Sequence, residues 1–219
     1  MFYETKDHHG LKHNPFKSLV VPRPIGWISS LDSEGRVNLA PFSFFNAVAD
    51  DPPVVIFSAG GQHVEGGFKD TPLNVEATGE FVFNLATWAL REKMNLTSVL
   101  APRDWNEFEV AGLTPAPSRL VKPPRVKESP VHMECRYLQT VELPSRDAKS
   151  LNKVVFGKVV GIHIDDGIIK DGLVDLAAIK PIARLGYMDY TVVETIFTMQ
   201  RPKLEDLPPP TGARSKAAE

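Results

Sequence analysis

The sequence has few of the features that are typical of proteins in oxidising compartments or membranes. Its 219 residues include one cysteine, Cys135, so no disulfide can form within the chain, which fits a reducing cytoplasm. The polar start of the chain lacks the apolar core of a signal peptide, and no apolar run approaches the length of a membrane helix. We therefore expect a cytoplasmic protein with no membrane partner.

Sequence signatures of several common functions are missing as well. The formal net charge is -2, without the basic excess typical of nucleic-acid binding. His8, His9 and His13 lie close together, but Gly10 interrupts the helix that would align them, and no carboxylate or cysteine pattern completes a metal site. The residues alone therefore indicate neither a nucleic-acid partner nor a metal.

Proline, by contrast, is abundant: 19 prolines separate the apolar runs, which suits short strands better than a helical bundle. The length fits one domain of ordinary size. We expect that domain to span residues 1–200 and residues 201–219, with their Pro-Pro-Pro run, to form an extended tail.

The stretch Val21–Ala59 carries the strongest strand pattern. An Asp-Ser-Glu-Gly turn separates two β-rich runs and predicts a hairpin, because Gly35 can adopt the positive φ of a tight turn. Two more strands follow on either side of Pro52 and Pro53. The four predicted strands are Ile25–Leu31, Arg36–Leu39, Phe42–Val48 and Val54–Ser58, which together indicate a small barrel or meander.

Packing does not explain every polar residue in this stretch. Ser43 and Asn46 lie among aromatic residues, and Arg23 lies between two prolines that cannot donate a backbone hydrogen bond. One interpretation is an edge strand whose polar groups are satisfied. The other is a wall that offers N–H groups and hydroxyls to a planar polar ligand.

A phosphate site is one interpretation of Lys69-Asp70-Thr71-Pro72. Thr71 is the expected N-cap of a short helix, with Pro72 at its first position and Gly79 at its end. A helix N-terminus beside a lysine suits a phosphate. The alternative is a capped surface helix with a solvated lysine.

Two long β-rich runs, Val131–Leu143 and Lys153–Asp165, follow a proline-rich segment at Pro115–Pro130. Apolar and polar residues alternate in the first run, which predicts one wet face carrying a solvated or paired Glu134. Gly157 and Gly161 in the second run predict a bulge or the close approach of something flat. His163 is either a hydrogen-bonded structural histidine or part of a ligand pocket.

The motifs R-P-I-G-W-I-S-S-L-D-S-E-G-R-V-N-L-A-P-F-S-F-F-N-A-V, P-P-V-V-I-F-S and K-D-T-P-L-N together resemble the flavin reductase-like family of FMN-binding split-barrel proteins. That family includes flavoredoxin-like electron carriers and the reductase partners of two-component monooxygenases. The resemblance implies a mainly β fold with short helices, an FMN-binding split β-barrel of Greek-key type.

It also implies a site. Backbone groups near Ile25–Trp27 and Ser43–Asn46 would face the flavin ring and ribityl chain, and the Lys-Asp-Thr motif would hold the phosphate. Arg184 belongs to a closing motif usually written R-L-G-G. His163 is the catalytic candidate, on the nicotinamide side. The residues assigned to the cofactor are Arg23, Ile25, Gly26, Trp27, Ser43, Phe44, Phe45, Asn46, Ser58, Lys69, Asp70, Thr71 and Arg184.

The chain departs from the family pattern at two places. A longer Gly-rich loop with His63 and Phe68 precedes Lys69, and Tyr187 replaces the second glycine of the closing motif. The loop would alter phosphate access or ring cover, and no role is carried over to Tyr187.

The resemblance implies an NAD(P)H:flavin oxidoreductase that holds FMN, uses NADH or NADPH and forms a homodimer, with a monooxygenase or redox protein as a possible partner. The proline-rich segment would either cross the surface or reach toward the second subunit. Two alternatives stay open: a non-catalytic FMN electron carrier, and a flavin-free split barrel that acts as a binding module.

Overall fold

A computed structural model of the chain describes residues 1–145 and 152–208, and its architecture is dominated by strands. Most of the predicted strands are present within one or two residues of their expected bounds. The strands are β1 (Arg23–Pro24), β2 (Gly26–Leu31), β3 (Val37–Phe42), β4 (Phe45–Asp50), β5 (Pro53–Gly60), β6 (Glu80–Leu85), β7 (Pro115–Ala116), β8 (Arg125–Val126), β9 (Val131–Glu142), β10 (Asn152–Ile164), β11 (Ile169–Lys170), β12 (Leu173–Val174), β13 (Ile182–Arg184) and β14 (Tyr190–Val192).

The main sheet has seven antiparallel strands in the order β3-β2-β6-β9-β10-β5-β4. It does not close on itself, so β3 and β4 are its edges. Strand β2 pairs with β3, its neighbour in sequence, and also with β6, which follows three intervening strands. A smaller sheet in the order β1-β13-β14 joins the start of the domain to its end.

The helices are short, as the proline content predicts. They are α1 (Phe16–Leu19), α2 (Asp70–Thr78), α3 (Arg91–Leu96), α4 (Glu107–Val110) and α5 (Leu176–Ile179), with 3-10 turns at Trp88–Leu90, Asp166–Ile168 and Leu204–Asp206. Within the described residues, none of them is both long and apolar enough to span a bilayer.

Two apolar clusters form the core on either side of the main sheet's central strands. One surrounds Trp27 and includes Met94 and Phe108 from α3 and α4. The other surrounds Phe57 and Phe81 from β5 and β6. Each fully buried side chain of this size contributes roughly 1.5–3 kcal/mol of transfer free energy, so the clusters fix how the strands pack.

The glycines of β10 behave as predicted. The pairing of β10 with β9 shifts register beside both Gly157 and Gly161, as β-bulges do. The flat group that approaches Gly157 is the ring of Phe81, because a Cβ at this position would lie 2.2 Å from Phe81 Cζ.

The solvent-exposed face predicted for β9 is wrong at His132 and Glu134, although Glu134 is paired, with His163, as one of the two expected alternatives. His132 and Glu134 are buried, at 4% and 0% exposure, because residues of the proline-rich segment cover them. Arg119, Leu120 and Val121 donate backbone hydrogen bonds to the Glu134 carboxylate. The segment therefore packs on its own sheet rather than reaching away from it.

The C-terminal tail is described only in part. Residues 201–208 are exposed and contain the turn Leu204–Asp206. Residues 209–219 lie outside the described residues, and the boundary at residue 200 stays a prediction.

Candidate functional site

The site begins at the N-terminus of α2, where the predicted N-cap is wrong by two residues. Lys69 is the N-cap, with extended backbone angles, and Asp70 is the first helical residue. Pro72 is tolerated inside the first turn because N–H groups there have no acceptor within the helix. Gly79 ends the helix in the left-handed conformation, as predicted. Thr71 is buried instead of capping, and its hydroxyl accepts a 2.9 Å hydrogen bond from Asn38.

Lys69 is a half-buried cation. Burial lowers the pKa of its ammonium, and repulsion from Lys17 lowers it further. In residues 1–145 and 152–208, no carboxylate forms an ion pair with Lys69. A partly desolvated positive charge without a counter-ion favours an anionic ligand.

The adjacent carboxylate of Asp70 is engaged elsewhere. Arg103 forms an ion pair with Asp70 Oδ1, and His63 Nε2 lies 3.3 Å from Asp70 Oδ2. The His63 contact is too poorly oriented to count as a hydrogen bond, so this buried Nε2 has no partner of good geometry in the described part of the chain. Burial and then the Arg103 charge lower the pKa of His63, which favours the neutral imidazole.

A small cleft of about 80 Å³ lies beside these groups. His63 and the residues at the start of α2, Lys69, Asp70 and Thr71, form one part of its lining, and most of the rest comes from β3 and the segment after α3. Glu107 also lines it and accepts a hydrogen bond from Leu39 N–H; burial raises the pKa of this carboxyl. A cation, a hydroxyl, an imidazole and two carboxylates that are engaged with other groups therefore meet at this cleft.

The Ser43–Asn46 stretch lies at an exposed edge of the sheet, beside Lys17 and Arg23. Lys17 and Arg23 lie 6.0 Å and 5.6 Å from the ring of Phe44, and the Ser58 N–H donates to the Phe44 carbonyl at 2.7 Å. Phe42, which directly precedes Ser43, lines the cleft, so this edge begins beside it. Phe44 is 40% exposed, which leaves its ring free for contacts with a ligand.

Other residues of the predicted ring wall are turned inward. Phe45 stacks on Phe83 and fills the space beside Gly26. Ile25 and Trp27 are core residues, and the indole of Trp27 donates to Thr97 at 2.9 Å. Asn46 is exposed and its side chain accepts from the N–H of Ala47.

Arg23 and Arg184 are both held by protein groups. Arg23 is buried and donates to the carbonyls of Lys17, Val20 and Leu185. Arg184 lies over the Tyr190 ring at 4.5 Å and donates to the Tyr190 hydroxyl. It lines a separate apolar cavity of about 550 Å³, which shares no lining residue with the Lys69 cleft.

His163 makes the contact expected of a structural histidine. Its Nε2 lies 2.5 Å from Glu134 Oε1, on a carboxylate with no exposed surface. Burial would raise the pKa of Glu134, but the hydrogen bonds from Arg119, His163 and Leu120 outweigh it and lower the pKa. The catalytic role of His163 stays a prediction that none of these contacts requires.

Arg103 and Asn38 were not predicted to belong to the site. Asn38 lies on β3 in an otherwise ordinary strand pattern, and Arg103 lies in a mixed polar segment before α4. No local spacing connects either residue to Lys69, so only the folded chain brings them together.

The comparisons with known proteins agree with this architecture. The family described as "Flavin reductase like domain" matches residues 18–181. An uncharacterized protein of Aquifex aeolicus is 44% identical over 169 residues, covering 77% of this chain and 83% of that protein.

Two solved structures with the same fold are at least 26% identical in sequence to this chain. Nitrilotriacetate monooxygenase component B from Bacillus cereus is 29% identical with a TM-score of 0.82, covering 91% of this chain and 98% of that one. Pseudomonas fluorescens 2-nitrobenzoate 2-nitroreductase NbaA is 26% identical with a TM-score of 0.79, covering 96% and 100%. The open seven-stranded sheet is therefore a split barrel, and the chain belongs to the flavin reductase-like domain family.

Proposed function

We propose that the protein binds FMN non-covalently and oxidises NADH or NADPH as a flavin reductase. The observation that carries this proposal is Lys69, a half-buried cation without an ion-pair partner among the described residues, at the N-terminus of α2. A phosphate supplies the missing negative charge and accepts hydrogen bonds from the free N–H groups of the helix start.

The residues present fit FMN in its other parts as well. Thr71 and Asn38 extend the polar lining beside Lys69, and the exposed ring of Phe44 offers an apolar surface next to Arg23 and Lys17. Ser43 and Ser58 are half-buried at the same edge. This arrangement supports a ligand with an anionic end and a flat, mainly apolar end.

When bound, FMN would supply the hydride-accepting chemistry that oxidises NADH or NADPH. The protein's residues bind and orient the two reactants. Such a reaction needs alignment and stacking more than a protein acid or base. Lys69 would act on the phosphate, and no role is needed for His163 beyond its contact with Glu134.

The proposal includes a homodimer. Strand β4 is an edge of the main sheet, and its residues Asn46–Asp50 are all exposed, with Val48 at 48% exposure. An uncovered edge strand of this kind invites pairing with another chain. Light scattering should therefore report a dimer, and a monomer with full flavin occupancy would contradict this part.

A monooxygenase is a natural electron acceptor for such a protein. The support is the similarity to one solved structure, component B of nitrilotriacetate monooxygenase from Bacillus cereus. A non-catalytic electron carrier is the alternative within the same cofactor chemistry.

The test is the absorption spectrum of the purified protein, mass spectrometry of the released cofactor, and addition of NADH or NADPH. Yellow protein that releases FMN and oxidises the nicotinamide steadily with added flavin supports the reductase. Tightly held FMN with slow oxidation supports the electron carrier. Release of FAD alone, or colourless protein that cannot be reconstituted, would overturn the proposal.

A further inference from the structure

Lys69 and Asp70 are adjacent in sequence and opposite in charge, but they do not pair. The Asp70 carboxylate is directed at Arg103, whose Nη1 contacts Oδ1, and its second oxygen faces His63. Lys69 is therefore left without an ion-pair partner among the described residues. Asp70 lines the same cleft, so if its carboxylate turned toward Lys69 it would pair with the ammonium and compete with an anionic ligand.

Arg103 also holds the Gly-rich loop before the helix. Its Nη2 donates to the carbonyls of Gly66 and Phe68 at 3.1 Å and 3.2 Å, and its Nε lies 3.6 Å from Glu65 Oε2. The guanidinium supplies five donors in a fixed plane, which suits several acceptors at once. One side chain from a distant segment therefore ties the loop to the first residue of α2.

The loop has two consecutive glycines in the left-handed conformation, and its hydrogen bonds are mostly internal. Gly66 and Gly67 adopt positive φ, and the internal bonds are those between His63 and Gly67, Gly66 and His63, and Glu65 and the His63 ring. These bonds shape the loop but do not attach it to α2. Arg103 contributes hydrogen bonds to that attachment, beside the 3.3 Å contact between His63 and Asp70, and so it helps to set where His63 lies relative to Lys69.

On the basis of the proposed function, we propose that Arg103 is a positioning residue of the phosphate site. It keeps the Asp70 carboxylate away from Lys69 and fixes the loop, so that the ammonium of Lys69 stays available to the phosphate of FMN. Arg103 does this without touching the flavin.

The test compares FMN with riboflavin, which has the same ring and ribityl chain but no phosphate. Arg103→Ala should weaken FMN binding about ten-fold, the scale of one charge-assisted hydrogen bond. Riboflavin affinity should stay unchanged. Arg103→Lys should give an intermediate loss, because a lysine restores the ion pair with Asp70 but not the fork that reaches both carbonyls.

Two further variants separate positioning from general effects of charge or folding. In a Lys69→Ala background, Arg103→Ala should cause no further loss of FMN affinity, because its effect acts through Lys69. Arg136→Ala is the matched control: it removes an arginine of β9 that, like Arg103, pairs with a carboxylate, Glu80 at 2.8 Å, and donates to a backbone carbonyl. It should leave the affinity for both flavins unchanged.

The outcomes distinguish this inference from the proposed function. If wild-type protein binds neither flavin, the proposed function fails and this inference with it. If wild-type protein prefers FMN but Arg103→Ala keeps that preference, or loses both flavins equally, only this inference is overturned. Should Arg103→Ala not fold, Arg103→Lys decides: no selective loss of FMN in that variant would likewise overturn it.

Discussion

The ring of Phe81 on β6 packs against the backbone of Gly157 on β10, across the intervening strand β9. A Cβ on Gly157 would lie 2.2 Å from Phe81 Cζ, and Phe81 is also held edge-on by Phe57 with centroids 5.5 Å apart. Phe81 has no exposed surface and cannot move toward solvent. The absence of a side chain at residue 157 is therefore a packing requirement of the second core cluster.

Gly157→Ala should lower the free energy of unfolding by about 1–3 kcal/mol, the usual cost of overpacking a core. Gly161→Ala is the matched control in the same strand, since its nearest neighbour is the terminal Cδ1 of Leu120 at 3.2 Å, which can yield more easily. Urea unfolding of both variants measures the difference. Equal and small losses would show that Phe81 repacks freely.

The local pattern of the sequence was sufficient for most of the fold. The Asp32–Gly35 turn and the alternation around it predict the β2–β3 hairpin, because turn chemistry and strand period are properties of neighbouring residues. The bulges of β10 follow from two glycines in a strand for the same reason. Helix α2 ends where Gly79 predicts, but it begins two residues early, because a proline fits any position of a first turn.

The site was less predictable because its parts come from distant segments. For Lys69 and Ser43 the residues alone left a structural and a ligand-binding interpretation open, the resemblance favoured the second and added Ser58, and these roles stay predictions. The burial of Glu134 had no local signal, since the covering residues at 119–121 lie more than ten positions away. Arg103 illustrates the same limit: a mixed polar segment does not indicate which carbonyls and carboxylates it will meet.

His132 should make stability depend on pH. Burial lowers the pKa of its ring to about 4, although a hydrogen bond to the Val126 carbonyl opposes this shift. Among the neighbouring groups, Arg125 and His163 lower the pKa further and Glu134 raises it. The imidazole of His132 is protonated near pH 6.5 in the unfolded chain but only near pH 4 in the folded protein. The contribution of the neutral ring to stability is therefore complete above pH 6.5 and is lost as the pH falls toward 4. The loss from this group is roughly 3 kcal/mol.

His132→Gln should remove that component while keeping a donor for Val126. Unfolding free energies measured between pH 4.5 and 7.5 should therefore rise less steeply with pH in the variant than in the wild type. His8→Gln, at an exposed position near the start of the chain, is the control and should keep the wild-type slope. Parallel curves for wild type and His132→Gln would contradict the prediction.

Deleting residues 208–219 should leave the thermal midpoint and FMN binding intact. The segment has almost no apolar side chains to bury, so its removal costs little. Deletion from Tyr190 onward is the contrasting variant, because it removes β14 and its pairing with β13. A marked drop in stability after the short deletion would mean that the tail docks on the domain.

Lys69→Ala tests the phosphate site directly. A hydrogen bond to a charged group contributes about 1.5–3 kcal/mol, so the variant should bind FMN about ten- to a hundred-fold more weakly. Added salt should narrow the gap, because counter-ions screen the remaining attraction in the wild type. The hydride-transfer rate of the flavin-saturated variant should change little, since the phosphate is remote from N5. Lys170→Ala, which removes an exposed lysine, is the charge-matched control. FMN titration of the apoproteins at low and high salt makes the measurement. Equal affinities of wild type and Lys69→Ala at low salt would place the phosphate elsewhere, because a half-buried cation without a counter-ion cannot face a phosphate and contribute nothing to its binding.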